Sequence, residues 1–381
     1  MRITGVVTIP LVGHTPASGW VHETDLDTNI QTIVVVTDDE GRLGYGGVYT
    51  SQALVEAALD LVRPWLLGRD VDSPEHTTDH LDTMLFWQGR GGAVGHALSG
   101  LDIALWDLWG KIQGVSVSTL LGGRYRERVR PYASLLFDPP EQLEQRLEAV
   151  LALGYRAMKI GWKPFGRLDH ATDEELVRTA RRVVGPDIEL MIDAGASEQA
   201  WPHGRAWAIR TARMLADHDI AWFEEALPPD DVEGYRLLRE ASPVPIATGE
   251  VLVGRRAFAA LLDRSAVDII QPDTTKCGGL SEARKIGWMA EDAGVQMVSH
   301  GWNNAVGLTA DLHLASARPL GTLVEYVTPS AYIDGLLASP PALDHDGMLA
   351  VPDGPGLGVE LDPEALAFYA AASPYPGLVT R

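Results

Sequence analysis

The feature that most constrains this chain is a repeated alternation between Tyr132 and Glu325. Eight short apolar runs, YASLLF, RAMKI, IELMID, IAWFEE, VPIATGE, VDIIQPD, VQMVSH and TLVEYV, recur at intervals of roughly 20 to 35 residues. Each is followed by a segment with helix-period apolar positions, such as DEELVRTARRVV from Asp173 or SEARKIGWMAEDAG from Ser281. Strands alternating with helices form βα units and a parallel sheet in which every crossover contains a helix. Eight such units fit a closed βα barrel better than a doubly wound open sheet.

Residues 1–125 have a different character. They offer strand-like ITGVVTIPL and QTIVVVTDDE, then helices that include SGLDIALWDLWGKIQG. This reads as an α+β domain that precedes a barrel over residues 126–349, with the turn-rich end, about 350–381, expected to pack back on the first domain. The loop LVGHTPASGWVHETD between the first strands has the composition of a lid, and it places His14 where it could touch a substrate. The tryptophans of ALWDLWGK recur at helical spacing and read as core or interface.

Composition excludes several classes. A formal net charge of −21 argues against nucleic acid, which needs a basic face. There is no apolar run of about 18 residues to span a membrane, and MRITGVVTIPLVG reads as a strand, not a signal peptide. The single cysteine, Cys277, makes no internal disulfide and fits a reducing compartment, so a cytoplasmic location is expected. An anionic substrate bound by so acidic a chain requires a local positive centre, and a divalent metal is the simplest.

Active sites of βα barrels lie at the C-terminal ends of the strands. There the third run delivers Asp193, the fourth Glu224 and Glu225, and the fifth Glu250. Each acid alone reads as a cap or a surface ion pair, but three at consecutive strand ends would repel one another without a cation. Hard oxygen ligands suit Mg²⁺. Of the Glu pair, strand alternation points only one inward. The sixth run ends at Asp273 and the seventh at His300, so the carboxylate can accept from one ring nitrogen and leave the other free for a proton. Glu325, on the eighth run, could be a ligand, an ion-pair partner or a protonated acid whose pKa neighbouring acids raise. On the second run Lys159, Gly161 and Lys163 share parity, although Pro164 and Gly166 suggest that the extended chain soon ends. Trp302 and Asn303 follow His300 and could line a substrate pocket. Asp230, Asp231 and Lys276 read as ordinary salt-bridge residues.

As an ordered set, SGLDIALWDLWGK, LLGGRYRERVRPYAS, MIDAGAS, WFEEALPPDD, ATGE, QPDTTKCGG, SHGWNNAVGL, VEYV and VPDGPGLGVEL resemble the mandelate racemase-like branch of the enolase superfamily over essentially the full chain. The resemblance implies a modified (β/α)7β TIM-type barrel with an N-terminal α+β capping domain, which revises the count of eight complete βα units. It implies one Mg²⁺ held by Asp193, Glu224 and Glu250, a His300–Asp273 dyad, and Glu325 as the acid that hydrogen-bonds the substrate carboxylate. It further implies abstraction of the proton α to a carboxylate, through an enediolate that a metal and hydrogen-bond donors must stabilise. The expected partner is a small-molecule carboxylate, and the expected assembly a homo-oligomer.

One departure decides the expected reaction. The family's second strand usually ends in Lys-x-Lys, whose second lysine is a base facing the histidine, whereas here position 161 is glycine. A racemase needs a base on each face, and only Lys163 could substitute; Lys159 is expected to orient substrate or a ligand carboxylate. A lyase manages with one base, because His300 can take the α-proton and return it to a leaving β-hydroxyl. The expectation is therefore dehydration of a sugar acid, an aldonate or aldarate, to a 2-keto-3-deoxy acid. A racemase or epimerase of a 2-hydroxy or amino acid, a sugar-lactone cycloisomerase, and a catalytically retired metal-binding barrel are the alternatives.

Overall fold

The computed structural model describes residues 1–13, 29–162, 164–197, 201–328 and 330–371. The first part is a three-stranded antiparallel sheet, ordered β1 (Ile3–Gly13), β2 (Asn29–Asp38), β3 (Leu43–Val48). It packs against α1 (Gln52–Leu66), α2 (Pro74–Met84) and α3 (Gly92–Gln113). Val34, Val36, Val48, Leu59, Val62, Leu101 and Leu105 form the core of that cap. After the short α4 (Val117–Leu120) the chain enters the barrel.

The barrel alternates β4 (Arg128–Leu136), α5 (Pro140–Ala152), β5 (Ala157–Gly161), α6 (His170–Val184), β6 (Glu189–Asp193), α7 (Arg205–Ala216), β7 (Phe223–Glu224) and α8 (Val232–Ala241). It continues with β8 (Ile246–Thr248), α9 (Arg255–Leu262), β9 (Ile269–Ile270), α10 (Gly279–Asp292), β10 (Gln296–Met297), α11 (Ala305–Ser316) and β11 (Leu323–Val327). The strands pair in parallel in the order β10-β9-β8-β7-β6-β5-β4-β11, and a parallel bridge between Ser299 and Val324 closes the ring. All eight apolar runs of the sequence are strands of this barrel. After β11 the chain makes α12 (Ala331–Asp334), β12 (Leu349–Ala350), which pairs antiparallel with β4, and α13 (Pro363–Ala371), which packs on β1. The barrel is thus (β/α)7β with a capping layer.

The interior of the barrel explains how the strands aim their functional ends. Tyr132, Ala157, Met191, Trp222, Ala247, Ile269, Val298 and Leu323, one from each strand or its immediate extension, form a buried apolar plug. Strand side chains alternate with period two, so the residues two positions further on form the next layer up. That layer contains Ser134, Lys159, Asp193, Glu224, Gln271, His300 and Glu325.

The cap docks on the barrel through α3. Trp106 donates its indole N–H to Ser281 Oγ at 2.8 Å, and Asp102 accepts from the Ser281 backbone N–H at 2.9 Å. The Trp106 of ALWDLWGK is therefore an interface residue. No described helix is long and apolar enough to cross a membrane.

Candidate active site

Above the plug, Asp193, Glu224 and Glu250 are buried and each turns a carboxylate oxygen to a common point, these oxygens lying within 4.8 Å of one another. Asp193 and Glu224 end adjacent strands in register, and Glu250 follows β8 after a glycine at φ 134°. Burial, reinforced by Glu224, pushes the Asp193 carboxyl well above the usual carboxylate range. A cation in the cluster would remove that strain, and an all-oxygen donor set suits Mg²⁺. These residues fit the ion.

Both members of the Glu224–Glu225 pair are buried, but only Glu224 turns an oxygen to the common point, as strand alternation leads one to expect. Glu225 has φ 46°, where the strand has already ended. Its carboxylate accepts from Ser197 Oγ at 2.8 Å. Burial and the charges of Glu250 and Asp193 push its pKa well up.

Lys159 lies on the floor of the site. Its Nζ is 2.5 Å from Glu224 Oε1, 3.0 Å from Glu325 Oε1 and 3.7 Å from Asp193 Oδ2. Burial works against the ammonium, but Glu224 and Glu325 outweigh it and hold the Lys159 pKa well above its ordinary value. The other oxygen of Glu224 accepts from Trp222 Nε1 at 2.9 Å and Gln271 Nε2 at 2.6 Å.

His300 and Asp273 meet as the sequence suggests, with His300 Nδ1 2.8 Å from Asp273 Oδ2. Asp273 Oδ1 accepts from the backbone N–H and hydroxyl of Thr275, at 2.7 and 2.6 Å. Burial would raise the Asp273 pKa, but Lys276 and these hydrogen bonds hold the carboxyl well below its usual range. His300 Nε2 faces the acids, 3.1 Å from Glu250 Oε2 and 4.0 Å from Glu325 Oε2. Burial opposes a charge on the ring, yet Glu250 raises its pKa well above the ordinary value. Lys276 is more than a surface ion-pair residue, because its Nζ sits 3.4 Å from the dyad carboxylate and over the Tyr49 ring. Asp231 instead caps α8, accepting from Gly234 N–H at 2.8 Å.

Of the three roles the sequence left open for Glu325, the structure shows an ion pair, with Lys159. Burial alone would raise the Glu325 pKa, but Lys159 and His300 hold it below the usual range, and its Oε2 accepts from Gly301 N–H at 2.7 Å. A cation in contact outweighs the more distant acids.

A small, narrow cavity lies over these groups, lined by Ser134, Leu135, Leu136, Lys159, Trp162, Asp193, Glu250, His300, Trp302 and Glu325. Of the expected substrate residues Trp302 reaches it. Asn303 does not; it turns its amide to Asp311 Oδ2 at 3.3 Å, because α11 packs beneath it. His14 and Lys163 lie outside the described residues. Trp162 was not expected. It follows Gly161 with φ 63°, so the extended chain of β5 ends at once.

Two family models match: the mandelate racemase/muconate lactonizing enzyme N-terminal domain over residues 20–122 and the enolase C-terminal domain-like model over 142–365. The chain belongs to this family of the enolase superfamily. A curated member, D-galactarolactone cycloisomerase of Agrobacterium fabrum, is 33% identical over 91% of this chain and 93% of its own length. D-xylonate dehydratase of Haloferax volcanii is 30% identical, covering 91% and 87%. A racemase from Streptomyces coelicolor, solved with bound magnesium, superposes with a TM-score of 0.84 at 30% identity over 96% of this chain and 98% of its own. The family's acid-sugar members thus include both lyases and isomerases.

Proposed function

We propose that this enzyme removes the α-proton of a sugar acid with His300 and expels the β-hydroxyl, giving a 2-keto-3-deoxy acid. The observation that carries this reading is the one-sidedness of the site. His300, backed by Asp273, faces the cavity from β10, while the opposite flank at the end of β5 presents Gly161 and Trp162. Lys159 is no base there, because Glu224 and Glu325 hold it as an ammonium. Among the described residues, nothing on that flank accepts a proton.

Against burial, Glu250 is the charge that keeps a proton on His300. With Glu250 engaged by a cation that charge is offset, and Nε2 is free to take the proton from C2, while Asp273 accepts from Nδ1–H and stabilises the imidazolium. Electrons from the broken C–H bond enter the carboxylate to form an enediolate, next to the Lys159 ammonium. A Mg²⁺ held by Asp193, Glu224 and Glu250 would supply a Lewis acid for the developing negative charge. The C3–O bond then breaks, and the imidazolium proton leaves with the hydroxyl as water. The enol product tautomerises to the 2-keto acid. In the absence of substrate Glu325 is ionised, and its part is to hold Lys159 and the Gly301 N–H in place.

A second reading has a specific support, the similarity to the galactarolactone cycloisomerase. The same base could eliminate a ring oxygen from a sugar lactone, and no water would be released. The test is a panel of aldonates, aldarates and sugar lactones, with D-xylonate and D-galactarolactone among them, assayed with Mg²⁺ and semicarbazide. Keto product from an open-chain acid supports dehydration; product from lactones alone supports the second reading. His300→Asn should lower turnover by about 10³-fold while leaving Mg²⁺ binding intact. Surviving activity would refute the mechanism.

A further inference from the structure

Trp162 occupies a backbone region that bulky residues avoid, and the protein fixes it there firmly. A bulky non-glycine residue at positive φ is strained and persists only where its surroundings over-determine it. The Trp162 N–H donates to the Asp193 carbonyl at 3.0 Å, and its own carbonyl accepts from Phe165 N–H at 3.0 Å. Phe165 is fully buried, stacked on Phe137 at 5.4 Å and edge-on to Phe223 at 6.5 Å. Next, the Gly166 N–H donates to Asp173 Oδ1 at 2.7 Å, and its carbonyl meets His203 Nε2 at 2.8 Å. Trp207 stacks on His203 at 4.6 Å. The turn that carries Trp162 is clamped from both sides.

The clamp delivers the indole to the cavity. A Cβ at Gly195 would lie 2.6 Å from Trp162 Cδ2 and 2.7 Å from Cε2, so the ring rests on the loop that follows Asp193 and lines the cavity with Lys159 and His300. Strands β5 and β10 stand on opposite flanks of the closed barrel, separated by β4 and β11 on the shorter path. The indole and the imidazole therefore approach the cavity from opposite sides.

We propose that Trp162 is the specificity-determining residue of this site, an apolar wall opposite His300 on which the C–H face of a sugar acid packs and behind which water cannot reach the reacting carbons. This rests on the reading of the site as one that eliminates the β-substituent of a sugar acid. An indole offers a broad C–H-compatible surface and excludes solvent. Proton traffic is then confined to the His300 face: the imidazole abstracts at C2, gives that proton to the departing hydroxyl, and, neutral again, takes the enol O–H proton and delivers it to C3 as the keto acid forms.

The experiment compares wild type with Trp162→Phe and Trp162→Ala, with thermal melts to establish folding and Trp162→Gly as a variant free of the backbone strain. Calorimetric titration of the Mg²⁺-loaded proteins with D-gluconate should show about tenfold weaker binding for Trp162→Ala and Trp162→Gly, and a change within about threefold for Trp162→Phe. Turnover in ²H₂O of the best acid or lactone in the panel should place deuterium at C3 in one configuration in wild type and in both in Trp162→Ala. D-gluconate binding to Trp162→Ala as tightly as to wild type, or not at all to wild type, overturns the inference, as does an unchanged single configuration. Weakened binding in the variants with no member of the panel converted by wild type leaves the wall standing and removes the elimination reading.

Discussion

A side chain at position 161 would collide with Asp193: a Cβ built on Gly161 falls 2.5 Å from Asp193 Cβ and 2.8 Å from its carbonyl oxygen. The glycine thus does more than omit a base. It allows β5 to approach one of the candidate metal ligands closely, and restoring a lysine there must displace that ligand. Gly161→Lys is expected to create no racemase. It should instead lower stability by about 1–3 kcal/mol, the usual cost of overpacking, and weaken Mg²⁺ binding at least about tenfold, as metal ligation tolerates little displacement. Denaturant melts and Mg²⁺ titration read both effects. Exchange of the substrate α-hydrogen without elimination, at full Mg²⁺ affinity, would show that the site can accept a second base after all.

Lys159 is the internal cation of the acid cluster, so its removal should act most strongly when no metal is present. Lys159→Met leaves Glu224 and Glu325 buried without their partner, a change that typically costs about 3–5 kcal/mol. In EDTA the variant should melt well below wild type. Added Mg²⁺ should recover part of the loss, making the Mg²⁺-induced rise in Tm larger in Lys159→Met than in wild type. Equal rises in the two proteins would mean that the ammonium and the metal do not share the same carboxylates.

Metal removal provides a direct check on the triad. Dialysis against EDTA should abolish turnover, and Mg²⁺ should restore it. At a Mg²⁺ concentration a hundred times its Kd, binding should stabilise the fold by about 2.7 kcal/mol. Asp193→Asn should remove both the restoration and the stabilisation. Retention of either in that variant would place the ion elsewhere.

Much of this site could be read from strand parity. Lys159, Asp193, Glu224, His300 and Glu325 each stand two positions beyond a plug residue, so a period of two and the rule that barrel sites lie at strand ends bring them together. Parity fails where the backbone leaves the extended region. Trp162 at φ 63° enters the site from a turn, and a tryptophan carries no local signal for a left-handed conformation. Lys276 was legible as an ion-pair residue three positions after Asp273, but its partner was not, because the strand-end turn that folds it back is a tertiary feature. The seam between cap and barrel was visible only as tryptophans at helical spacing; the carboxylate beside them makes the tighter contact.

That carboxylate, Asp102, supplies the pH prediction. It is fully buried and accepts from Thr78 Oγ1 at 3.0 Å, from Ser281 N–H at 2.9 Å and from Ser281 Oγ at 2.5 Å. Burial pushes its pKa from 3.8 up to about 7, with Ser281, Thr78 and Lys285 opposing. Below pH 3.8 the group is protonated in both folded and unfolded chains, and its contribution to stability is fully present. As pH rises toward 7 the unfolded chain releases a proton that the folded chain retains, so stability falls; above about 7 the loss is complete. At about 1.4 kcal/mol per pH unit, the gap between 3.8 and about 7 corresponds to a loss on the order of 4 kcal/mol. Asp102→Asn keeps an acceptor for the Ser281 N–H and carries no charge. Its Tm relative to wild type should therefore rise between pH 5 and pH 8 and level off beyond. Thermal melts of both proteins across that range decide the matter, and a Tm difference independent of pH would show that Asp102 folds in as a carboxylate throughout.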